Sequence, residues 1–382
     1  MRQPLIRVAE PVLDGNERTY VLDCLDSTWI SSRGKYIERF EAQVAEFVGV
    51  DHAVATNNGT TALHLALAAL NLQPGDEVIV PTLTYIASVN AIRYCGATPV
   101  FVDSVSPAMT LDPAQVESKI TDRTRGIVSV PLYGHPVDWD DLEDVADRHG
   151  LFVVEDAAEA LGASHRGRMV GAWGDCATFS FFGNKIITTG EGGMVVTNNV
   201  ELASRLRLLR GQAVSPERCY WHNEVGYNYR MTNVAAAIGC AQMERIEHHL
   251  ARRRHVAERY FEALEPHRDR FQLPDAMPNA HHCYWMFSIV IRPEIPVSRD
   301  DVMAGMVDSG VETRPVFYPV HWMPPYQEAR GRYPVAEEQS SRGISLPTHG
   351  KLSDEEIRYV ANQLVQVVDR LAEREHTARK AA

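Results

Sequence analysis

The sequence predicts an α/β protein: a large domain built on a seven-stranded, mainly parallel sheet with helices on both faces, followed by a smaller α+β domain. Two observations carry this. Between residues 52 and 197, short apolar runs rich in β-branched side chains recur, and most of the earlier ones are separated by stretches of helical spacing, the pattern of βαβ units. After about residue 265 the texture changes to Pro-punctuated short elements. At 382 residues the chain is also too long for one simple core. The division is placed at 1–250 and 251–382.

Residues 1–35 read as an arm, with a polar centre in WISSRGKYI. A helix follows over 36–47, where Phe40, Val44 and Phe47 share one face and Gly49 ends it. The sheet is expected from 52–56, 77–81, 98–103, 126–131, 151–156, 177–181 and 193–197, with helices at 60–70, 88–94 and 138–149. Beyond it come a helix at 202–209 and one long helical pattern over 233–264, opened by the capping pair Thr232-Asn233. The second domain should contain a strand at 285–291, a helix opened by the box Ser298 to Asp301, a strand at 311–314 and a last helix opened by Ser353 to Glu356, with a frayed tail REHTARKAA.

Composition narrows the function. A net charge of −12 disfavours a polyanion-binding surface, and 45% hydrophobic with 23% charged residues is ordinary globular composition. The basic run ARRRHVAER reads as a solvated helix face; a nucleic-acid patch is the alternative. No signal-peptide pattern or 18-residue apolar stretch occurs, so a cytoplasmic protein without membrane or nucleic-acid partners is expected. Cys24, Cys95, Cys176, Cys219, Cys240 and Cys283 are scattered without a CxxC pair, and no metal site is expected.

In an open α/β sheet, ligands lie beyond the carboxyl ends of the strands. There the sequence places a Gly-Thr helix start at Gly59 and Thr60, a plain cap or an anion site. It places Tyr85 after the second strand, Asp156 and Glu159 at the end of the fifth, and Ser180 and then Lys185 after the sixth. The set fits a phosphorylated aromatic aldehyde with a basic ring nitrogen, which is pyridoxal phosphate. Gly59, Thr60 and Ser180 would donate to phosphate, Tyr85 would face the ring, Asp156 would pair with its nitrogen, and Lys185 would supply the amine.

The strings ATNNGTTALHLAL, PTLTYIASVNAI, FVVEDAAEALG, SFFGNKIITTGEGGMVVT, GYNYRMTNVAAAIG and ETRPVFYPVH resemble, in order and over nearly the whole chain, the DegT/DnrJ/EryC1/StrS family of sugar aminotransferases. The resemblance implies fold type I, a homodimer, and amino transfer from L-glutamate to a nucleotide-linked ketosugar. It implies Lys185 as the lysine bonded to pyridoxal 5′-phosphate, Asp156 at the ring nitrogen and Glu159 near the ring hydroxyl. Asn228 is implied to reach the phosphate of the neighbouring subunit's cofactor. Some relatives are dehydratases with histidine in place of the lysine, a branch that Lys185 argues against. Further strings, DSTWISSRGKYI and RPVFYPVHWMP among them, point to the branch acting on GDP-4-keto-6-deoxymannose; 3-keto sugars and dTDP- or UDP-linked ones stay open. Tyr318 and His321, in a Pro-bounded loop, are candidates for touching the sugar or for holding the loop.

Overall fold

A computed structural model describes residues 5–381 of the chain. The large sheet has seven strands in the order His52–Thr56, Gly193–Thr197, Cys176–Ser180, Phe152–Asp156, Thr124–Ser129, Glu77–Pro81, Thr98–Val102. Gly193–Thr197 is antiparallel to both of its neighbours, and the remaining strands run parallel to one another. The inner strands are buried on both faces, which is why they read as continuous apolar runs and not as alternation. Of the helices on its faces, Gly59–Ala69 is buried along nearly its whole length, and Trp139–His149 turns Trp139, Leu142 and Val145 to the sheet.

The second domain centres on a four-stranded sheet, ordered Phe271–Gln272, Phe287–Ile291, Gly343–Leu346, Arg314–Pro315, with the helices Arg299–Asp308 and Asp354–Ala381. The core changes hands inside the helix Ile246–Leu264. Ile246 and Leu250 belong to the large cluster, whereas Val256, Tyr260 and Leu264 belong to the small one. We propose the domain division there, between residues 250 and 251. Cys283, Trp285, Met286, Val290, Val316, Val320, Tyr333 and Ala336 return from beyond that point to the large core.

Several elements depart from expectation. The arm contains a helix, Glu17–Asp26, whose Cys24 is buried against the start of the helix Asn233–Met243. Its weak amphipathicity hid it in the sequence. The long pattern over 233–264 is two helices, broken at Glu244 and Arg245. Asn233 also holds the arm, donating from Nδ2 to Trp29 O at 2.7 Å and accepting from Tyr36 N at 3.1 Å. The basic run is only partly the solvated face expected: Arg253 is buried, while Arg252, Arg254, His255 and Arg259 are half-buried. Arg252 donates to the carbonyls of Gly350 and Leu352, and Arg253 is buried and donates to Trp285 O at 3.0 Å. Both domains press on this helix, so Arg252 and Arg253 serve as tethers. The last helix carries through the tail expected to fray as far as Ala381, a stretch of good helix formers; Ala382 lies outside the described residues. The helix Pro334–Arg342 and the strand after it were not legible in the sequence. No helix among the described residues is long and apolar enough to cross a membrane.

Candidate active site

The carboxyl ends of the parallel strands open on one cavity of about 660 Å³. Gly59, Thr60, Tyr85, Asp156, Glu159, Ser180 and Lys185 all line it.

Phe152–Asp156 ends in Asp156, which is buried and receives hydrogen bonds from Ser88 Oγ at 2.5 Å and Ala158 N at 3.3 Å. Burial pushes this carboxyl up, while Ser88, Ala158 and the Lys185 charge pull it back. Ser88 sits in the first turn of the helix Ile86–Tyr94, whose N-cap is Tyr85. One helix start therefore supplies both an aromatic face and a hydrogen bond to the carboxylate. Glu159 is also buried and pushed up by burial, against the pull of Lys185 and of Tyr133 N, which donates to Oε2 at 2.9 Å. Tyr133 reaches it with a left-handed backbone, φ 56°, a conformation rare for a bulky residue.

Lys185 stands in the loop between Cys176–Ser180 and Gly193–Thr197. Its Nζ lies 3.5 Å from Glu159 Oε1 and 3.9 Å from the centroid of the Trp285 ring. The Trp285 indole donates to Asn184 O at 2.8 Å and so pins the residue before the lysine. At the other wall the helix Gly59–Ala69 begins with a capping box, in which Asn58 accepts from Thr61 N at 2.9 Å. Helix geometry leaves the N–H groups of Gly59 and Thr60 for a ligand. A Cβ at Gly59 would stand 2.9 Å from Ser180 Cβ, so only glycine lets the helix start and the serine share this corner. Gly59→Ala should raise the dissociation constant of a phosphate-bearing ligand by about tenfold or more, read by equilibrium dialysis, through displacement of Ser180.

Three expected residues lie outside this lining. Asn228 is exposed. Tyr318 is exposed and its hydroxyl accepts from Arg299 Nη2 at 3.1 Å. His321 is fully buried between Thr82 and Glu337. Conversely, the sequence reading missed several lining residues. Tyr133 follows a parallel strand, and inspecting that strand end would have found it. Arg314 and Phe317 lie in the quoted ETRPVFYPVH string but were not singled out. Trp285 comes from the small domain and has no local signal.

A model of the DegT/DnrJ/EryC1/StrS aminotransferase family matches residues 11–365. The chain is 52% identical over 366 residues to GDP-perosamine synthase of Caulobacter vibrioides, covering 96% of this chain and 99% of that one. It is 49% identical over 359 residues to GDP-perosamine synthase of Escherichia coli O157:H7, covering 94% and 97%. Among solved structures it superposes on the PLP form of a putative sugar aminotransferase from Streptococcus pneumoniae with TM-score 0.90 and 26% identity, covering 97% of this chain and all of that one.

Proposed function

The chain belongs to the DegT/DnrJ/EryC1/StrS aminotransferase family, and from that premise we propose that it transfers an amino group from L-glutamate to the 4-keto carbon of GDP-4-keto-6-deoxymannose, giving GDP-perosamine. It is a sugar aminotransferase dependent on pyridoxal 5′-phosphate. What carries the GDP-linked substrate is the near-full-length likeness to enzymes of that name at about half identity. Assayed with glutamate against a panel of nucleotide ketosugars, the enzyme should turn over GDP-4-keto-6-deoxymannose fastest. A larger kcat/KM for a 3-keto, dTDP- or UDP-linked sugar would overturn the assignment.

The residues present fit the cofactor. The corner kept open by Gly59 offers two backbone N–H groups and the Ser180 hydroxyl to a phosphate, and the buried Asp156 carboxyl is placed to pair with a protonated ring nitrogen. When bound, the cofactor supplies an electron-withdrawing ring and an aldehyde. Lys185 Nζ would hold that aldehyde, and as a free amine it is placed to carry a proton to and from the substrate carbon. Glu159 lies within 3.5 Å and keeps that amine oriented. Tyr85 would face the ring, and Trp285 and Tyr133, stacked with centroids 6.1 Å apart, add apolar lining that excludes water.

The enzyme acts as a homodimer in which Asn228 completes the partner's site. Asn228 is exposed outside its own cavity lining, in the GYNYRMT loop that directly precedes the small-residue helix Asn233–Met243. Inactive Lys185→Ala and Asn228→Asp proteins, mixed in equal amounts, form hybrids in which one site inherits both lesions and the other neither. Activity should then return to about one quarter of wild type after random exchange. If mass spectrometry shows hybrids and no activity returns, Asn228 does not serve the partner's site.

A further inference from the structure

His321 has no free nitrogen for a sugar. Its Nδ1 lies 2.6 Å from Thr82 Oγ1, its Nε2 3.3 Å from Glu337 Oε1, and its ring packs on Tyr333 with centroids 4.7 Å apart. One neutral tautomer satisfies both contacts: Nε2–H donates to the Glu337 carboxylate, and Nδ1 accepts the Thr82 hydroxyl proton. Burial pushes the imidazole pKa down, in keeping with a neutral ring.

Around this ring the two domains are tied together. Val320 N donates to Thr82 O at 2.8 Å, and His321 N to Thr82 Oγ1 at 3.4 Å. Glu337 is itself held by Gly331 N at 2.7 Å. Its helix, Pro334–Arg342, is fixed to the large sheet by Asp103, which accepts from Val335 N at 3.1 Å and Ala336 N at 2.8 Å. Thr82 stands three residues before Tyr85 in the turn that follows the strand Glu77–Pro81, and Phe317 four residues before His321 on the other segment. The Tyr85 and Phe317 rings meet on the cavity wall with centroids 5.6 Å apart. Both members of that aromatic pair therefore hang from one knot.

We propose that His321 is a positioning residue: its clasp on Thr82 holds Tyr85 and Phe317 together on the cavity wall, and so sets the face against which the cofactor ring and the sugar are held. The proposal rests on the reading of Tyr85 as that face.

The test compares His321→Phe, Thr82→Val and the double variant. Cofactor dissociation constants are measured on apoprotein by equilibrium dialysis, and KM for the nucleotide sugar on the loaded enzyme. Each single variant strands a buried polar partner or removes the bond, and should raise both constants about tenfold, with the double variant no worse than either single one. His321→Asn puts an amide oxygen near the Nδ1 position and should stay within about threefold of wild type. Should His321→Phe fail to fold, Thr82→Val and His321→Asn decide. Unchanged constants in Thr82→Val, or effects that simply add in the double variant, overturn the clasp whatever the change in Tm. Tyr85→Leu separates the two readings. If it leaves cofactor affinity unchanged while the clasp variants weaken it, the role of Tyr85 fails and the clasp, acting through Phe317, stands. If it weakens affinity while they do not, the clasp falls.

Discussion

Replacing Lys185 by alanine will lower turnover by at least ~10⁴-fold and remove the covalent cofactor adduct that borohydride traps. The reason is geometric. Lys185 Nζ is the amine at the centre of the lining, between Glu159 and the Trp285 face, and no second lysine lines the cavity among the described residues. The fold should survive. The lysine contributes one ion-pair contact at 3.5 Å from a loop, and the Glu159 carboxyl, already pushed up by burial, takes a proton when its partner is removed. That limits the cost to about 1–2 kcal/mol, visible as a modest fall in Tm. A Lys185→Ala protein turning over near the wild-type rate would sink the assignment.

The second largest effect is expected for Asp156→Asn. Shape is kept, Ser88 Oγ still has an oxygen or nitrogen to bond at the same place, and cofactor should bind within about tenfold of wild type. The negative charge is lost. In a fully buried site that charge is what keeps a ring nitrogen protonated, and without it the barrier should rise by about 4 kcal/mol, near 10³-fold in kcat. The split between retained affinity and lost kcat distinguishes this role from a structural one. Equal kcat in Asp156→Asn would mean that the ring partner lies elsewhere.

Much of the site was legible because it follows from strand ends. In a parallel sheet every strand delivers its next residues to the same rim, so locating the strands in the sequence was enough to bring Gly59, Tyr85, Asp156, Glu159, Ser180 and Lys185 together. The same rule, applied to the strand Thr124–Ser129, would have added Tyr133. It is silent on Trp285, Arg314 and Phe317, which arrive from the small domain by packing. Tyr318 and His321 were candidates for touching the sugar or for holding the loop, and their motif does not say which way they turn. Their neighbours Arg299, Thr82 and Glu337 decide that, and these are far away in sequence.

By itself, the sequence determined the α/β class, the seven strands of the large sheet and the rim to which Lys185 and the other candidates are delivered, because periodicity and residue type are local properties that survive without a fold. Only the tertiary structure decided what depends on distance between remote segments. It broke the helical pattern at Glu244 and Arg245, buried Arg253 of the next helix's basic run between two cores, and placed the Trp285 ring beneath Lys185 Nζ. It also made His321 a clasp between domains, since a buried imidazole bonds whatever polar partners packing brings to it, and Thr82 lies 239 residues away.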